Sequence, residues 1–285
     1  MSENSTAAGM PPYSTVTLKD GSTVAYNLYN KESSKTPLVM IMGMTGCMLD
    51  WQAYSEALSR CSDRPVLIFD NRNIGNSFGD ISNLSLDLMV SDTIELISML
   101  GLSEVHLLGF SMGGMIAQQM LLHHSPPFAI SKVILSSTAC RRPPATQIDM
   151  SSLEGVQAFT LSLFDDEWIA NNQAILAIIK ESSALTRRPL ETMQGQAKAL
   201  GGFDLTDDLK QRDFTNKLYV MHGKRDAIIK FEEAEHLLTS AKGARMANLP
   251  SLEYGHFFSA YFDPETWSAV IEECLQQDAD ATANL

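Results

Sequence analysis

Val105-His106-Leu107-Leu108-Gly109-Phe110-Ser111-Met112-Gly113 joins two patterns at one residue. The apolar run Val105 to Phe110 reads as a buried strand, and a helical pattern follows from Met112 to His124. Strand, sharp turn and helix therefore meet at Ser111. Flanking glycines let the backbone double back there without a Cβ clash, which lifts the serine hydroxyl to the strand's end. A Gly-x-Ser-x-Gly pattern alone arises by chance in roughly one chain in ten of this length. Its surroundings have to decide what it means.

Two short candidate strands, Ser14 to Leu18 and Thr23 to Asn30, are separated by Lys19-Asp20-Gly21, a hairpin-like turn signal. Then the rhythm changes. Apolar runs Leu38 to Met42, Val66 to Phe69, Val105 to Phe110, Lys132 to Leu135 and Leu218 to Met221 alternate with helical segments near 49–60, 84–101, 112–125 and 231–240. Strands apolar on both faces, interleaved with helices, predict a parallel sheet covered on both sides. From Cys140 to Gly202 no strand is expected, only helical patterns divided by turn residues and Pro189, as in an inserted helical cap. Its apolar residues, among them Phe159, Phe164 and Trp168, must bury against one another or roof an apolar pocket.

The composition narrows the function classes. Of 285 residues, 45% are hydrophobic, enough for a large core, and no apolar stretch exceeds strand length. The N-terminus carries no basic or greasy signal, so a cytoplasmic protein that does not engage a membrane is expected. Residues 1–12 and 276–285 are small, polar and aperiodic, and are expected to fray. Four cysteines, Cys47, Cys61, Cys140 and Cys274, show neither metal-ligand nor disulfide spacing. A net charge of −13 repels phosphate backbones and disfavours nucleic acid as a partner.

A serine hydroxyl is a weak nucleophile until a base takes its proton, and the base needs an acid to orient it. In a parallel sheet all carboxyl ends share one edge, so loops far apart in sequence converge there. Asp226 follows the strand ending at Met221, in Met-His-Gly-Lys-Arg-Asp. His256, in Glu-Tyr-Gly-His-Phe-Phe, follows the short apolar run Ala244 to Leu249. Other candidates fit less well. His106 lies inside a strand, His123 and His124 end a helix, His222 precedes Asp226, and His236 is mid-helix. Asp204, Asp207, Asp208, Asp149 and Asp263 read as caps or solvated charges. Cys47 reads as a small buried filler.

With these residues in the order serine, acid, histidine, the chain resembles the serine-nucleophile α/β-hydrolases from about residue 15 to 275. Phe69 to Ser77 (Phe-Asp-Asn-Arg-Asn-Ile-Gly-Asn-Ser) is similar to the family's Asp-x-Arg-Gly-x-Gly-x-Ser turn, and Gly43-Met44-Thr45-Gly46 sits where its oxyanion loop lies. Pro264-Glu265 and the amphipathic helix after it resemble its C-terminal segment. The resemblance implies a mostly parallel eight-stranded sheet with helices on both faces, a core of 13–139 and 203–275, and a helical cap of 140–202. It implies a triad of Ser111, Asp226 and His256, and oxyanion donors at Met44 and Met112. Gly43, Phe110, Phe159, Phe164, Trp168 and Phe257 would line the substrate pocket. Asp70 and Arg72 would order their turn rather than act on substrate. Two residues depart from the family pattern: Met42 stands where relatives carry histidine before the glycine, so the loop needs different supporting hydrogen bonds, and Asn73 stands in place of glycine.

The implied chemistry is hydrolysis of a carboxylic ester or lactone of a small to medium apolar substrate, without metal or organic cofactor. The same triad serves carbon–carbon, amide or thioester hydrolysis and acyl transfer, because substrate choice lives in pocket shape. Aspartate-nucleophile chemistry on epoxides or haloalkanes is disfavoured by Ser111. The Met-Gly loop and short cap also resemble the aclacinomycin methylesterase-like branch. A receptor that merely binds a ligand has no need of a triad.

Overall fold

The computed structural model describes residues 12–143 and 152–276. Apart from residues 12 and 276, the ends expected to fray lie outside the described residues, as does Asp149.

Eight strands form one sheet: β1 Ser14–Thr17, β2 Thr23–Tyr29, β3 Leu38–Ile41, β4 Val66–Phe69, β5 Glu104–Phe110, β6 Ala129–Ser136, β7 Leu218–Met221 and β8 Arg245–Met246. Their spatial order is β1-β2-β4-β3-β5-β6-β7-β8. The hairpin β1–β2 is antiparallel and docks antiparallel on β4. Every other pairing is parallel. The strand ends therefore deliver their following loops to one edge, as the alternating rhythm requires.

Among the described residues ten α-helices accompany the sheet: α1 Gln52–Ser62, α2 Leu86–Met99, α3 Met112–His123, α4 Leu153–Ser162, α5 Asp166–Asn171, α6 Gln173–Leu185, α7 Leu190–Ala199, α8 Thr206–Lys210, α9 Phe231–Ser240 and α10 Pro264–Gln276. Successive strand side chains point to opposite faces, and the core divides accordingly. Val39, Ile41, Leu67, Leu107, Leu135 and Val220 pack with α2, α3 and α9. Leu38, Met40, Val66, Ile68, Leu108 and Tyr219 pack with α1 and α10, where Trp267 is 1% exposed. That two-sided burial is why β3, β4 and β7 read as unbroken apolar runs.

Two strands differ from the expectation by more than a residue at one end. β6 begins at Ala129 rather than Lys132, because the ladder with β5 starts at Glu104↔Ala129 and main-chain pairing tolerates exposed or half-buried side chains there. β8 keeps only Arg245–Met246 of the run Ala244 to Leu249; only Tyr219↔Arg245 and Val220↔Met246 pair.

Between β6 and β7 the described residues of 140–202 hold α4 to α7 and no strand. Sequence punctuates these helices: Ser152 Oγ accepts from Gly155 N at 3.1 Å, Asp165 Oδ1 accepts from Trp168 N at 3.0 Å, and Pro189 occupies the position just before α7. Phe159 and Met193 reach the main core, whereas Phe164, Trp168 and Leu176 form a cluster of their own against Phe257 and Tyr261. No helix among the described residues is long and apolar enough to cross a membrane.

Candidate active site

β5 runs into α3 with a single residue between them, Ser111, whose φ of 54° and ψ of −121° fall in a region favoured by glycine. The flanking glycines do not supply that unusual conformation. They supply closeness instead. A Cβ on Gly109 would lie 2.5 Å from Gly113 O, and one on Gly113 would collide with Ile41 O of β3. The strain sits on the serine itself, where a backbone cost of about 1–3 kcal/mol persists only because its surroundings over-determine it. Ser111 N donates to Ser136 O at 2.9 Å, Thr138 Oγ1 donates to Ser111 O at 2.7 Å, and Gly114 N donates to the same carbonyl at 2.9 Å.

The loops after β7 and β8 bring the predicted acid and histidine together. Asp226 Oδ2 lies 2.7 Å from His256 Nδ1, with the residues 2% and 1% exposed. Asp226 Oδ1 accepts from Ile228 N and Ile229 N, both at 2.9 Å, which fixes the carboxylate. Burial alone would raise the Asp226 pKa, but the charge of His256 and hydrogen bonds from His222 and His256 outweigh it, so the carboxyl is held well below its ordinary range. A carboxylate at Nδ1 assigns the proton there and leaves Nε2 as the basic nitrogen. The His256 ring packs 5.0 Å from the Phe110 ring, one residue before Ser111. Among the described residues neither Ser111 Oγ nor His256 Nε2 makes a hydrogen bond, so both keep their capacity for substrate and for each other.

Gly43 passes directly against the elbow: a Cβ there would lie 2.9 Å from Ser111 Cβ. The amides of Met44 and Met112 have no acceptor among the described residues. Two unbonded N–H groups beside a serine are what a developing oxyanion requires. Of the other aromatic residues expected at the pocket, Phe257 packs edge-on to Phe110 at 5.6 Å and to Phe164 at 6.2 Å. Phe164 stacks on Trp168 at 4.3 Å. An unbroken aromatic path thus runs from Phe110 beside Ser111 to the helical insert, whereas Phe159 belongs to the main core and makes no ring contact with that path among the described residues. A shallow surface depression lies elsewhere, lined by Tyr13, Cys47, Asp70, Asn76 and Thr186, and none of Ser111, Asp226 and His256 borders it.

The remaining candidates have structural posts. His106 is buried in β5, and burial depresses its pKa to about 4. His123 and His124 face Asp208 and Asp87 at 3.3 and 3.4 Å. Arg72 makes a two-pronged pair with Asp92 at 2.6 and 2.8 Å, and Asp70 accepts from Met48 N and Asn76 N at 2.7 and 2.8 Å, so both brace their turn. Asn73 adopts φ 58°, the left-handed conformation that asparagine tolerates in place of glycine. Cys47 is 1% exposed, and burial pushes its thiol up to about 12, which leaves it unreactive at neutral pH.

Sequence reasoning passed over one residue at the site. His222, wholly buried, places Nε2 3.2 Å from Asp226 Oδ2 and 2.8 Å from Ile229 O. A carbonyl oxygen only accepts, so Nε2 carries the proton, donates to Ile229 O and stands beside the same Asp226 oxygen that meets His256. Its four-residue spacing to Asp226 was visible, but a loop of that length carries no periodicity from which contact follows.

A sequence profile described as alpha/beta hydrolase fold matches residues 36–237. A protein of Stutzerimonas stutzeri (strain A1501) named "Putative carbamate hydrolase RutD" is 23% identical over 269 residues, 90% of this chain and 98% of that one. A hydrolase from Pseudomonas aeruginosa PA01 superposes with a TM-score of 0.78 at 23% identity, over 95% of this chain and 100% of that chain. The enol-lactonase from Burkholderia xenovorans LB400 gives 0.78 at 18% identity, covering 92% and 99%. At such identities the structural likenesses carry the fold alone. None of these three is named as an aclacinomycin methylesterase, and the resemblance to that branch gains no support from them.

Proposed function

Because the chain belongs to the α/β-hydrolase fold family, we propose that it is a serine hydrolase cleaving a carboxylic ester or lactone of a small to medium apolar substrate. The observation that carries this reading is the buried Asp226–His256 pair at 2.7 Å. Its free Nε2 is delivered to the sheet edge where Ser111 stands on a strained turn. Such a pair polarises a hydroxyl, whereas a binding pocket gains nothing from it.

In the proposed reaction Ser111 Oγ attacks the substrate carbonyl as its proton passes to His256 Nε2. Asp226 stabilises the imidazolium through Nδ1 and is not itself protonated. The carbonyl electron pair moves onto oxygen, where the Met44 and Met112 amides receive it; one such donor is worth about 3–4 kcal/mol in a protease. The tetrahedral intermediate collapses, His256 returns the proton to the leaving alkoxide, and an acyl-enzyme on Ser111 remains. Water then gives a proton to Nε2 and attacks the acyl carbon, and collapse expels Ser111 Oγ, which recovers the proton. Protein side chains and backbone amides supply every step.

The helices α4 to α7 serve in this reading as a cap over the acyl group. Phe110, Phe257, Phe164 and Trp168 form its aromatic wall, which suits an apolar acyl or leaving group and supplies no charge to recognise an ionic one. The RutD relative favours a second reading, since a carbamate is an acyl group open to the same attack. A fluorophosphonate probe should label the wild type and fail on Ser111→Ala; an unlabelled, folded wild type would sink the enzyme reading. A graded panel of p-nitrophenyl esters, lactones and carbamates, compared by kcat/KM, decides between the two readings.

A further inference from the structure

The oxyanion loop lacks the histidine that precedes its glycine in relatives, and Met42 cannot donate in its place. Its support comes from the insert. Thr45, next to Met44, is a β-branched residue at φ 66°, a conformation that is an outlier for its type. Both of its backbone polar groups are taken by side chains more than 140 positions away in sequence. Gln196 Oε1 on α7 accepts from Thr45 N at 2.9 Å. Arg188 Nη1, just before α7, donates to Thr45 O at 2.6 Å. Arg188 Nη2 also grips Asp50 at 2.8 and 3.0 Å, and Asp50 Oδ2 accepts from Cys47 N at 2.9 Å, which closes the far side of the loop.

Neither side chain is a casual surface contact. Gln196 is 0% exposed, and its Nε2 has no partner among the described residues, so it is retained at a desolvation cost. The Arg188 side chain is 14% exposed. Neighbouring residues dock the same segment onto the 70–77 turn: Gly75 N donates to Arg187 O at 2.7 Å, Arg187 Nη1 to Asn73 Oδ1 at 3.0 Å, and Asn73 Nδ2 to Thr192 Oγ1 at 2.7 Å.

The geometry points to Arg188 and Gln196 as positioning residues of the oxyanion hole: they hold Thr45 in its left-handed conformation and so anchor the peptide that follows Met44, the residue whose N–H is the donor. This rests on the proposed acyl chemistry, in which Met44 is a donor. Planar peptides leave only φ and ψ free: Gln196 holds the Met44–Thr45 peptide, and the close packing of Gly43 on Ser111 confines the peptide that carries the Met44 N–H, so only Met44's own φ and ψ lie between two held peptides. Docking of the insert and completion of the hole thereby become one event.

The test uses the full chain, with p-nitrophenyl acetate as substrate and phenylboronic acid as a tetrahedral mimic. Gln196→Met keeps the volume and removes the acceptor; Gln196→Glu keeps an acceptor. Losing an oxyanion donor costs about 10²–10³ in kcat, and here the donor is misdirected rather than removed. Gln196→Met should therefore lower kcat about tenfold or more, with KM changed less than about twofold. Boronate affinity should fall in proportion to kcat, and Gln196→Glu should recover most of the loss. Arg188→Met should act in the same direction and Arg188→Lys less strongly. If Arg188→Met fails to fold by circular dichroism, Gln196→Met carries the test. Folded Gln196→Met with wild-type kcat, a loss confined to KM, or unchanged boronate affinity overturns the proposal while Ser111→Ala remains inactive. A folded wild type without turnover or fluorophosphonate labelling instead overturns the acyl reading, and the proposal with it.

Discussion

Replacing Ser111 by glycine should make this protein more stable while abolishing its activity. Ser111 holds φ 54° and ψ −121°, and its hydroxyl makes no hydrogen bond among the described residues. A non-glycine residue in such a conformation costs about 1–3 kcal/mol. Glycine removes that cost but adds freedom to the unfolded chain worth about 0.5–1 kcal/mol. At mid-range values, about 2 kcal/mol removed against somewhat under 1 kcal/mol added, the net gain is about 1 kcal/mol. At roughly 2–4 °C per kcal/mol for a chain of this size, Tm should rise by about 2–4 °C. Ser111→Ala is the reference, since it removes the hydroxyl but keeps the Cβ that causes the strain. Urea and thermal unfolding followed by circular dichroism, with both variants at one pH, isolate the backbone effect from the lost hydroxyl. If Ser111→Gly is no more stable than Ser111→Ala, the strain attributed to the elbow is absent.

Asp226→Asn should keep the fold and lower kcat by on the order of 10⁴, the cost of the wrong histidine tautomer in a protease triad; an unchanged kcat on p-nitrophenyl acetate would remove Asp226 from the mechanism. His106 should make the fold acid-sensitive: its folded pKa of about 4 lies below the ordinary 6.5, so it contributes stability that is full above pH 6.5 and is lost as pH falls through about 4. Urea midpoints for His106→Gln should then fall less steeply than wild type across that window. Gly113→Ala should destabilise by about 3 kcal/mol, the upper end of overpacking costs, because the added Cβ meets backbone that cannot swing aside; soluble protein with wild-type urea resistance would contradict the close approach. Iodoacetamide on the native protein should modify exposed Cys61 and spare Cys47, Cys140 and Cys274, as peptide mass spectrometry would read.

Much of this molecule was legible before any coordinates because its signals are local. A strand buried on both faces must be apolar at every position, so β3, β4 and β7 announced themselves. Parallel pairing then obliges their following loops to share an edge, which placed Ser111, Asp226 and His256 on common ground. The turn at Asn73 was equally readable, since few residues accept φ near 60°. What escaped were pairings between segments distant in sequence. Arg188 and Gln196 looked like ordinary residues of a helical stretch, and His222 looked like a passing neighbour of Asp226.

The sequence by itself determined the class of sheet, the order of the chemical groups and the elbow at which the serine stands, since each follows from periodicity, chain direction or the sterics of one residue. Only the tertiary structure decided which residue bears the strain at the elbow, which side chains brace the loop at Thr45, and that Phe164 and Trp168 connect through Phe257 to Phe110. Those outcomes depend on contacts between segments distant in sequence, and in a folded chain such contacts are set by packing, of which a linear string carries no record.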